Sequence, residues 1–368
     1  MDGRLRKTAA GRWEALLPSP CVQNHAAFLA PGKGSLKCLW FGGSLEGKAD
    51  ISIYRASLGE DDTWTQVQQL SNDSQRSEQN PLQFNAPDGR RLILHTAQPG
   101  GNQDACVVRI RAEGAAVRDL PLPPGTFIRS PIHVRGDGAW LLPLFRCVTQ
   151  AGYRWNGSHD TAALAISQDG GQHWRQIEVP ESVGCVHMTL VSLGELRLAA
   201  FFRRRQADFV YRSESADGGE SWSVPLATDV PNNNSSISVI ALHDGRLAMA
   251  CNPVNAAMHT DRRVSLYDEL GEDSRPAASG GCEPVWGVPR APLSICVSAD
   301  EGLTFPRRIV VDDSPGTCLS NDSLDGRNFE LSYPSLIQGE DGTLDLAYTF
   351  YRRAIKHLRL APEILEAT

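Results

Sequence analysis

The chain has 368 residues, of which 41% are hydrophobic, and a formal net charge of −7. An acidic chain without a basic patch does not favour nucleic acid as the main partner, and no run of about 18 apolar residues indicates a membrane-spanning helix. Residues 1–20 have no apolar stretch of signal-peptide length. Nine scattered cysteines without a C-x-x-C pair are typical of reduced, buried thiols. We therefore expect a cytoplasmic protein with no metal site and no cofactor.

Three segments of the chain repeat the pattern S-x-D-x-G-x-x-W/F. They are Ser167–Trp174, Ser215–Trp222 and Ser298–Phe305. In such a turn the aspartate side chain accepts hydrogen bonds from backbone amides, the glycine adopts a positive φ, and the aromatic residue anchors the next strand. We interpret these Asp boxes as structural turns rather than as catalytic motifs.

Glycine-containing turns also recur along the chain, each between two apolar segments. The steps between their last glycines are 55, 49, 56, 51 and 97 residues, and the turns are Gly32–Gly34, Asp88–Gly89, Asp137–Gly138, Gly194, Asp244–Gly245 and Asp341–Gly342. The first four steps fit four-stranded units of about 50 residues. The long last step contains one Asp box, so we interpret it as one unit with about 35 extra residues between Pro253 and Pro289.

These repeats predict an all-β fold, a single six-bladed β-propeller over residues 1–368 with an insertion loop at 253–289 within the fifth blade. The last blade shows only three strands, at Ser332–Gln338, Leu344–Tyr351 and Ile355–Leu360. The N-terminal segment around Arg12–Glu14 is predicted to supply the fourth strand, because closure by the opposite terminus hides two sheet edges.

Polar residues precede the apolar part of the first strand in each predicted blade. In a propeller these strands line the central axis, so their polar starts meet at one mouth, where we expect a hydroxylated or acidic ligand to bind. His187 and Tyr333 begin the fourth and sixth of these strands. The candidate substrate-binding residues at the other blade starts are Asn24, His25, Glu78, Asn80, Arg129, Asn233 and Asn234.

The Asp boxes and the count of six blades resemble the sialidases (neuraminidases) of the BNR/Asp-box repeat superfamily, and the resemblance covers nearly the whole chain in architecture. It implies a tyrosine nucleophile activated by a glutamate, a carboxyl acid/base, and three arginines that bind a carboxylate. Tyr333, which is followed by Pro-Ser-Leu, is similar to the nucleophile. Arg203 and Arg290 are similar to the second and third arginines, whose guanidinium groups suit bidentate binding of a carboxylate.

Two positions depart from the sialidase pattern. Residues 24–26 read Asn-His-Ala where the sialidases carry their first arginine, and His187 stands near the place of the activating glutamate. His187 is a candidate base for Tyr333, because imidazole titrates near neutral pH whereas a free phenol has a pKa of about 10. Arg129 is a candidate for the missing positive charge.

The loop between the second and third strands of the first blade carries two carboxyl groups. Glu46 and Asp50 lie there, and either is a candidate for the acid implied by the resemblance. A glycosidase of this type needs a group that protonates the leaving oxygen in addition to the nucleophile.

Three functions remain open on these residues. One is an exo-acting glycoside hydrolase for a terminal acidic or modified sugar other than conventional sialic acid. Another is a lyase that cleaves a uronate by β-elimination, with His25, His187, Asn80 and Tyr333 at its site. The third is a glycan-binding propeller without catalysis. All three predict a carbohydrate or a small acidic ligand as the partner, with no membrane involved.

Overall fold

The computed structural model describes residues 1–31, 35–263, 266, 270, 274–319 and 328–366. Within this part of the chain the strands form six separate antiparallel sheets, which confirms the predicted six-bladed β-propeller. The predicted turn at residues 32–34 and parts of the 253–289 segment lie outside the described residues. None of the helices in the described ranges has the length and apolar character needed to cross a membrane.

The chain begins with two strands, β1 (Arg6–Ala9) and β2 (Arg12–Leu16), that precede the first blade. That blade consists of β3 (Gln23–Pro31), β4 (Leu36–Gly43), β5 (Ser52–Ser57) and β6 (Gln68–Gln69). The second blade consists of β7 (Ser77–Asn85), β8 (Arg91–Gln98), β9 (Val107–Ala112) and β10 (Arg118–Asp119), with a 3-10 turn at Gln103–Ala105. The third consists of β11 (Thr126–Phe127), β12 (His133–Val134), β13 (Trp140–Arg146), β14 (Thr161–Ser167) and β15 (Arg175–Glu178).

The remaining three blades follow the same order along the chain. The fourth consists of β16 (Cys185–Ser192), β17 (Leu198–Arg204), β18 (Phe209–Ser215) and β19 (Leu226–Pro231). The fifth consists of β20 (Ser238–Ala241), β21 (Leu247–Cys251), β22 (Leu293–Ser298) and β23 (Arg307–Asp312), and residues 252–292 connect β21 to β22. The sixth contains β24 (Leu331–Gln338), β25 (Leu344–Phe350) and β26 (Ala354–Leu360), and a 3-10 helix follows at Pro362–Leu365.

The Asp boxes form the turns that their sequence predicts. In the second box Asp217 Oδ1 accepts the backbone N–H of Ser221 at 2.9 Å, and Gly219 adopts a φ of 93°. The aromatic residues of the boxes pack between blades: Trp222 joins the hydrophobic cluster between the third and fourth sheets, and Phe305 joins the one between the fourth and fifth. Each box therefore fixes one blade to the preceding blade.

In four blades the first strand carries a β-bulge near the end that faces the mouth, namely β3, β7, β16 and β24. The ladder of β3 with β4 shifts register between His25 and Phe28, and that of β24 with β25 shifts between Ser332 and Ser335. A bulge leaves backbone groups unpaired and changes the direction of side chains. In each of these bulges a residue other than glycine adopts a positive φ (Ala26, Asn80, His187 and Tyr333), and in the fifth blade Asn234 does so just before β20.

The N-terminal strand closes the ring, as the sequence predicts, because β2 pairs with β26 in the sixth blade. A buried ion cluster reinforces the pairing: Lys356 Nζ lies 2.9 Å from Glu14 Oε2 on β2 and 2.9 Å from Asp312 Oδ2 on β23. Burial raises the pKa of Asp312, but hydrogen bonds from Ser314, Tyr348 and Lys356 lower it below its ordinary value. The ammonium group thus links the closing strand, the sixth blade and the fifth blade.

We predict that Lys356→Met destabilises the protein by about 3 kcal/mol or more, because it leaves the Asp312 carboxylate buried without its cation. The free energy of unfolding in urea measures the effect. Lys48→Met is the matched control: Lys48 is exposed, and surface substitutions of this kind change stability by about 0.5 kcal/mol or less. Equal stability of the two variants would contradict the role of Lys356 in closure.

Candidate active site

A pocket lies at the mouth where the first strands of the blades begin and the second strands end. These two ends meet because neighbouring strands of a blade are antiparallel. The pocket is lined by Glu46, Gln79, Asn80, Gln103, Phe127, Phe145, His187, Arg203, Arg205, Leu266, Arg290, Tyr333 and Arg352. Six of the predicted site residues are among them: Glu46, Asn80, His187, Arg203, Arg290 and Tyr333.

Tyr333 lies in the bulge of β24 with a φ of 53° and is only 9% exposed. Its hydroxyl oxygen accepts a hydrogen bond of 2.7 Å from Arg203 Nη1. Burial raises the pKa of Tyr333, but the positive charges of Arg203 and Arg290 outweigh burial, so the pKa lies below its ordinary value. The two arginines thereby favour the phenolate, which is the nucleophilic form of the side chain.

Arg203, at the end of β17, is a buried cation whose contacts are to neutral groups. Its Nε donates to Asn234 Oδ1 at 2.8 Å, and its Nη1 lies 3.4 Å from His187 Nε2. Among the described residues no carboxylate lies within ion-pair distance of Arg203, and burial lowers its pKa to about 10. A buried guanidinium group without a counter-ion favours the binding of an anion within reach of its N–H groups.

Glu330 holds two further arginines at one side of the pocket. Arg290 Nη1 donates to its Oε1 at 2.8 Å, and Arg352 Nε donates to its Oε2 at 3.0 Å. Burial raises the pKa of Glu330, but Arg352 and Arg290 lower it well below its usual range. This carboxylate is therefore an ionised anchor that fixes both guanidinium planes before a ligand binds.

Arg205 also lines the pocket and has a carboxylate partner of its own. Its Nε and Nη2 donate to Asp160 Oδ2 at 2.9 and 2.7 Å, and Asp160 is fully buried. The guanidinium also lies 5.4 Å from the ring of Trp155 and 5.2 Å from that of Trp286. Arg203 and Arg205 share one face of the strand, as residues two apart do, and Arg204 points away to Tyr211.

The two carboxyl groups of the first-blade loop are placed differently. Glu46 lines the pocket and forms an ion pair with Arg352 Nη1, while its backbone N–H donates to Gln23. Asp50 is exposed, accepts the backbone N–H of Ser44 at 2.9 Å and does not line the pocket. Of the two, only Glu46 lines the pocket.

Both predicted histidines contact Tyr333 and are neutral. The rings of His25 and His187 lie 4.2 and 5.6 Å from the tyrosine ring. Burial lowers the pKa of each well below 6.5, and nearby arginines, Arg352 for His25 and Arg203 for His187, lower it further. His187 approaches Arg203 rather than the tyrosine hydroxyl, so it supports the arginine that contacts the phenol.

Four other predicted residues bind protein groups instead of facing the pocket. Asn24 accepts from Trp40 Nε1 at 2.9 Å, and Glu78 pairs with His95 at 3.0 Å. Asn233 donates to a backbone carbonyl at 2.8 Å. Arg129 donates to three carbonyls beneath the tyrosine. No group of three or more metal-ligating side chains occurs in the described ranges.

Sequence reasoning missed Arg352 and Arg205. Arg352 lies in the turn between β25 and β26, with a φ of 56°. Both residues follow second strands, as Glu46 does, and those ends reach the same mouth as the starts of the first strands. Polar residues at the ends of the second strands were therefore the available signal.

We predict that the Tyr333 phenol ionises below the ordinary tyrosine pKa of about 10. The measurement is the phenolate absorbance of wild type and of Tyr333→Phe, titrated in parallel. The difference between the two curves should correspond to one phenol that ionises below about pH 10. Tyr211→Phe is the control, because burial raises the pKa of Tyr211. This variant should lose a phenol that ionises at higher pH than free tyrosine. A Tyr333→Phe difference that appears only at higher pH would contradict the inferred acidity.

Comparisons with known proteins support the architecture. Solved structures with the same fold include a Hadza microbial sialidase, with a TM-score of 0.67 and 12% identity over 93% of this chain and 66% of that one. The intramolecular trans-sialidase of Ruminococcus gnavus has a TM-score of 0.64 and 12% identity over 94% and 96% of the two chains. A Dyadobacter fermentans protein of unknown function has a TM-score of 0.65 and 14% identity over 98% and 100%.

This chain therefore spans just under two thirds of the Hadza microbial sialidase and almost all of the other two structures. At these identities the similarity establishes the fold. No curated protein matches the sequence significantly. The model of the BNR repeat-like domain matches residues 34–346, which is most of the chain. The chain belongs to the BNR repeat-like domain family and has a sialidase-like propeller fold.

Proposed function

We propose that this protein is an exo-acting glycoside hydrolase that releases a terminal sugar bearing a carboxylate or another anionic group. The observation that carries the proposal is the pair formed by Arg203 and Tyr333: a buried cation without a carboxylate donates to the hydroxyl of an acidified tyrosine. An anionic ligand would supply the missing counter-charge beside the nucleophile. Without nearby cations, burial would keep the phenol of Tyr333 in its protonated form, which is a weak nucleophile.

The balance of charge in the pocket supports an anionic ligand. Four arginines line it, and their carboxylate partners are Glu330, Asp160 and Glu46. Counted against carboxylates alone, one guanidinium group therefore remains in excess among the described residues, that of Arg203. Preformed cations in a site from which water is largely excluded bind an anion without reorganising when it enters.

The shape of the pocket supports action at a chain end. All six blades contribute residues to its lining, including Tyr333, and the guanidinium carbon of Arg129 lies 5.6 Å from the tyrosine ring. A pocket enclosed in this way suits a terminal sugar that enters from the mouth rather than an internal segment of a polysaccharide. An exo-acting enzyme is the form of glycosidase that this arrangement suits.

In the proposed reaction the Tyr333 oxygen forms a bond to the anomeric carbon while the bond from that carbon to the leaving oxygen breaks. Glu46 enters this step in its protonated form and donates that proton to the leaving oxygen, which leaves the carboxylate that pairs with Arg352. Water then attacks the same carbon, Glu46 accepts the water proton, and the bond to Tyr333 breaks to restore the phenolate. The anomeric configuration is retained, because two displacements occur at one carbon.

The anion contacts differ from the sialidase pattern, so we infer a sugar other than conventional sialic acid. The first-blade position of the expected arginine carries Asn24, which is bonded to Trp40, and the neighbouring His25 stacks on Tyr333. A cation reaches this side of the pocket from the sixth blade instead, as Arg352. The third positive charge therefore comes from a different blade than the sialidase pattern implies.

We predict that Tyr333→Phe abolishes turnover while leaving the fold intact, because phenylalanine fills the same space without the reacting oxygen. Aryl glycosides and acidic oligosaccharides, screened with wild type beside the variant, provide the measurement. Tyr211→Phe, which removes a hydroxyl outside the pocket, should retain wild-type activity. An active Tyr333→Phe enzyme would exclude the nucleophile role.

Two other outcomes of the same screen identify the alternative functions. An unsaturated product that absorbs in the near ultraviolet would show a lyase. Binding of an acidic sugar that persists in Tyr333→Phe, with no turnover by wild type, would show a glycan-binding propeller. The proposal requires hydrolysis with retention of the anomeric configuration, and nuclear magnetic resonance of the released sugar measures it.

We predict that Glu46→Gln lowers kcat/KM by about 100-fold or more on oligosaccharides, whose leaving groups need a proton, and by about tenfold or less on nitrophenyl glycosides. Asp50→Asn is the matched control, because it makes the same change in the same loop outside the pocket. It should leave both activities unchanged. An equal loss on both substrate classes in Glu46→Gln would contradict the role of Glu46 as the acid.

A further inference from the structure

Arg129 crosses the axis of the propeller and binds the backbone on which Tyr333 is carried. It lies between the short strands β11 and β12 of the third blade. Its Nη2 donates to the carbonyl oxygens of Ala27 in the first blade at 2.9 Å, and of Tyr333 and Pro334 in the sixth blade at 3.1 and 3.2 Å. One guanidinium group therefore joins three blades at the level of the pocket floor.

The carbonyls that Arg129 binds are those released from the ladders by the bulges. Tyr333 and Pro334 lie within the register shift of β24, and Ala27 lies within that of β3. A buried carbonyl without a partner is costly. The interruption between β11 and β12 frees Arg129 from strand pairing, so that its side chain reaches across to supply the missing donors.

Arg129 is placed to act on the tyrosine rather than on a ligand. It is 5% exposed and does not line the candidate active-site pocket. It lines instead a separate axial cavity of about 340 Å³, bounded by later parts of the first strands. Arg129 lines this cavity and Tyr333 lines the pocket, and the guanidinium carbon lies 5.6 Å from the tyrosine ring.

We propose that Arg129 is a positioning residue, which holds the strained bulge of Tyr333 so that the phenol oxygen meets Arg203 and the reacting carbon. A positive φ at a non-glycine residue persists only where the surroundings enforce it, and two of the three Arg129 bonds end on the bulge itself. The proposal rests on the proposed nucleophile role of Tyr333. It reassigns Arg129 from ligand binding to support of the nucleophile.

The test compares Arg129→Met with wild type by two measurements. Turnover should show kcat lowered by about 10- to 100-fold, as for a small misplacement of a reacting group, with KM changed by less than about threefold. The phenolate titration of Tyr333, read against a Tyr333→Phe background, should shift to higher pH by about one unit, because a positive charge is lost beside the ring. Unchanged kcat and an unchanged titration in a folded variant would overturn the proposal.

Arg129→Lys separates position from charge and serves where Arg129→Met does not fold. It keeps the cation, but its side chain is shorter, so its ammonium group does not reach the place from which Nη2 donates to the three carbonyls. The titration should return towards wild type while kcat stays at least about fivefold below it. Full recovery of kcat would show that charge alone matters and would also overturn the proposal.

Arg135→Met is the matched control for the loss of a buried arginine. Arg135 is 8% exposed in the same blade, and it donates to the carbonyl of Gly218 at 2.8 Å, away from the pocket. It should lose thermal stability without any change in the Tyr333 titration. If wild type proves inactive on all sugars, the proposed function fails, yet the titration still decides whether Arg129 controls Tyr333.

Discussion

The innermost strands of this propeller converge on one axis, and their bulges leave buried backbone groups that need partners there. Side chains from neighbouring blades supply those partners. Thr349 accepts the N–H of Ala26 at 3.1 Å, and Ser335 accepts that of Leu29 at 2.9 Å. Arg129 completes the set by donating to the bulge carbonyls. The pocket depends on these hydrogen bonds, because each bulge whose backbone groups need partners also turns a side chain towards the mouth.

The same crowding makes the electrostatics of the site unusual. Burial raises the pKa of a phenol and lowers that of an imidazole, since it disfavours the charged form of each. Both trends hold at the axis, and nearby arginines lower both pKa values, so they oppose the effect of burial on Tyr333 and reinforce it on His187. The histidines beside it stay neutral, so they add no charge that would compete with an anion. The acidity of the phenol is thus a product of arginine placement.

The fold was predictable because its signals are local. The residues that determine the conformation of an Asp box or a glycine turn lie within eight positions of each other, and the spacing of these turns gives the number of blades. The site was predictable only in part. Glu78 and Asn80 stand two apart and should share a face, yet the bulge between Gln79 and Leu82 sends Asn80 to the pocket while Glu78 pairs with His95. Arg352 depends on the geometry of a hairpin turn, which no periodicity in the sequence reveals.

Buried cations and strained backbone both oppose folding, so the site must be supported by the rest of the ring. Four guanidinium groups at one mouth cost desolvation that three carboxylates offset incompletely. The closing strand offsets this desolvation cost by stabilising another part of the ring. Strand β2 pairs along its whole length with β26, and Lys356 links that pair to the fifth blade. A ring closed in this way cannot relax by separating its blades. The strain therefore stays at the axis, where Tyr333 and Arg203 remain facing each other until an anion arrives.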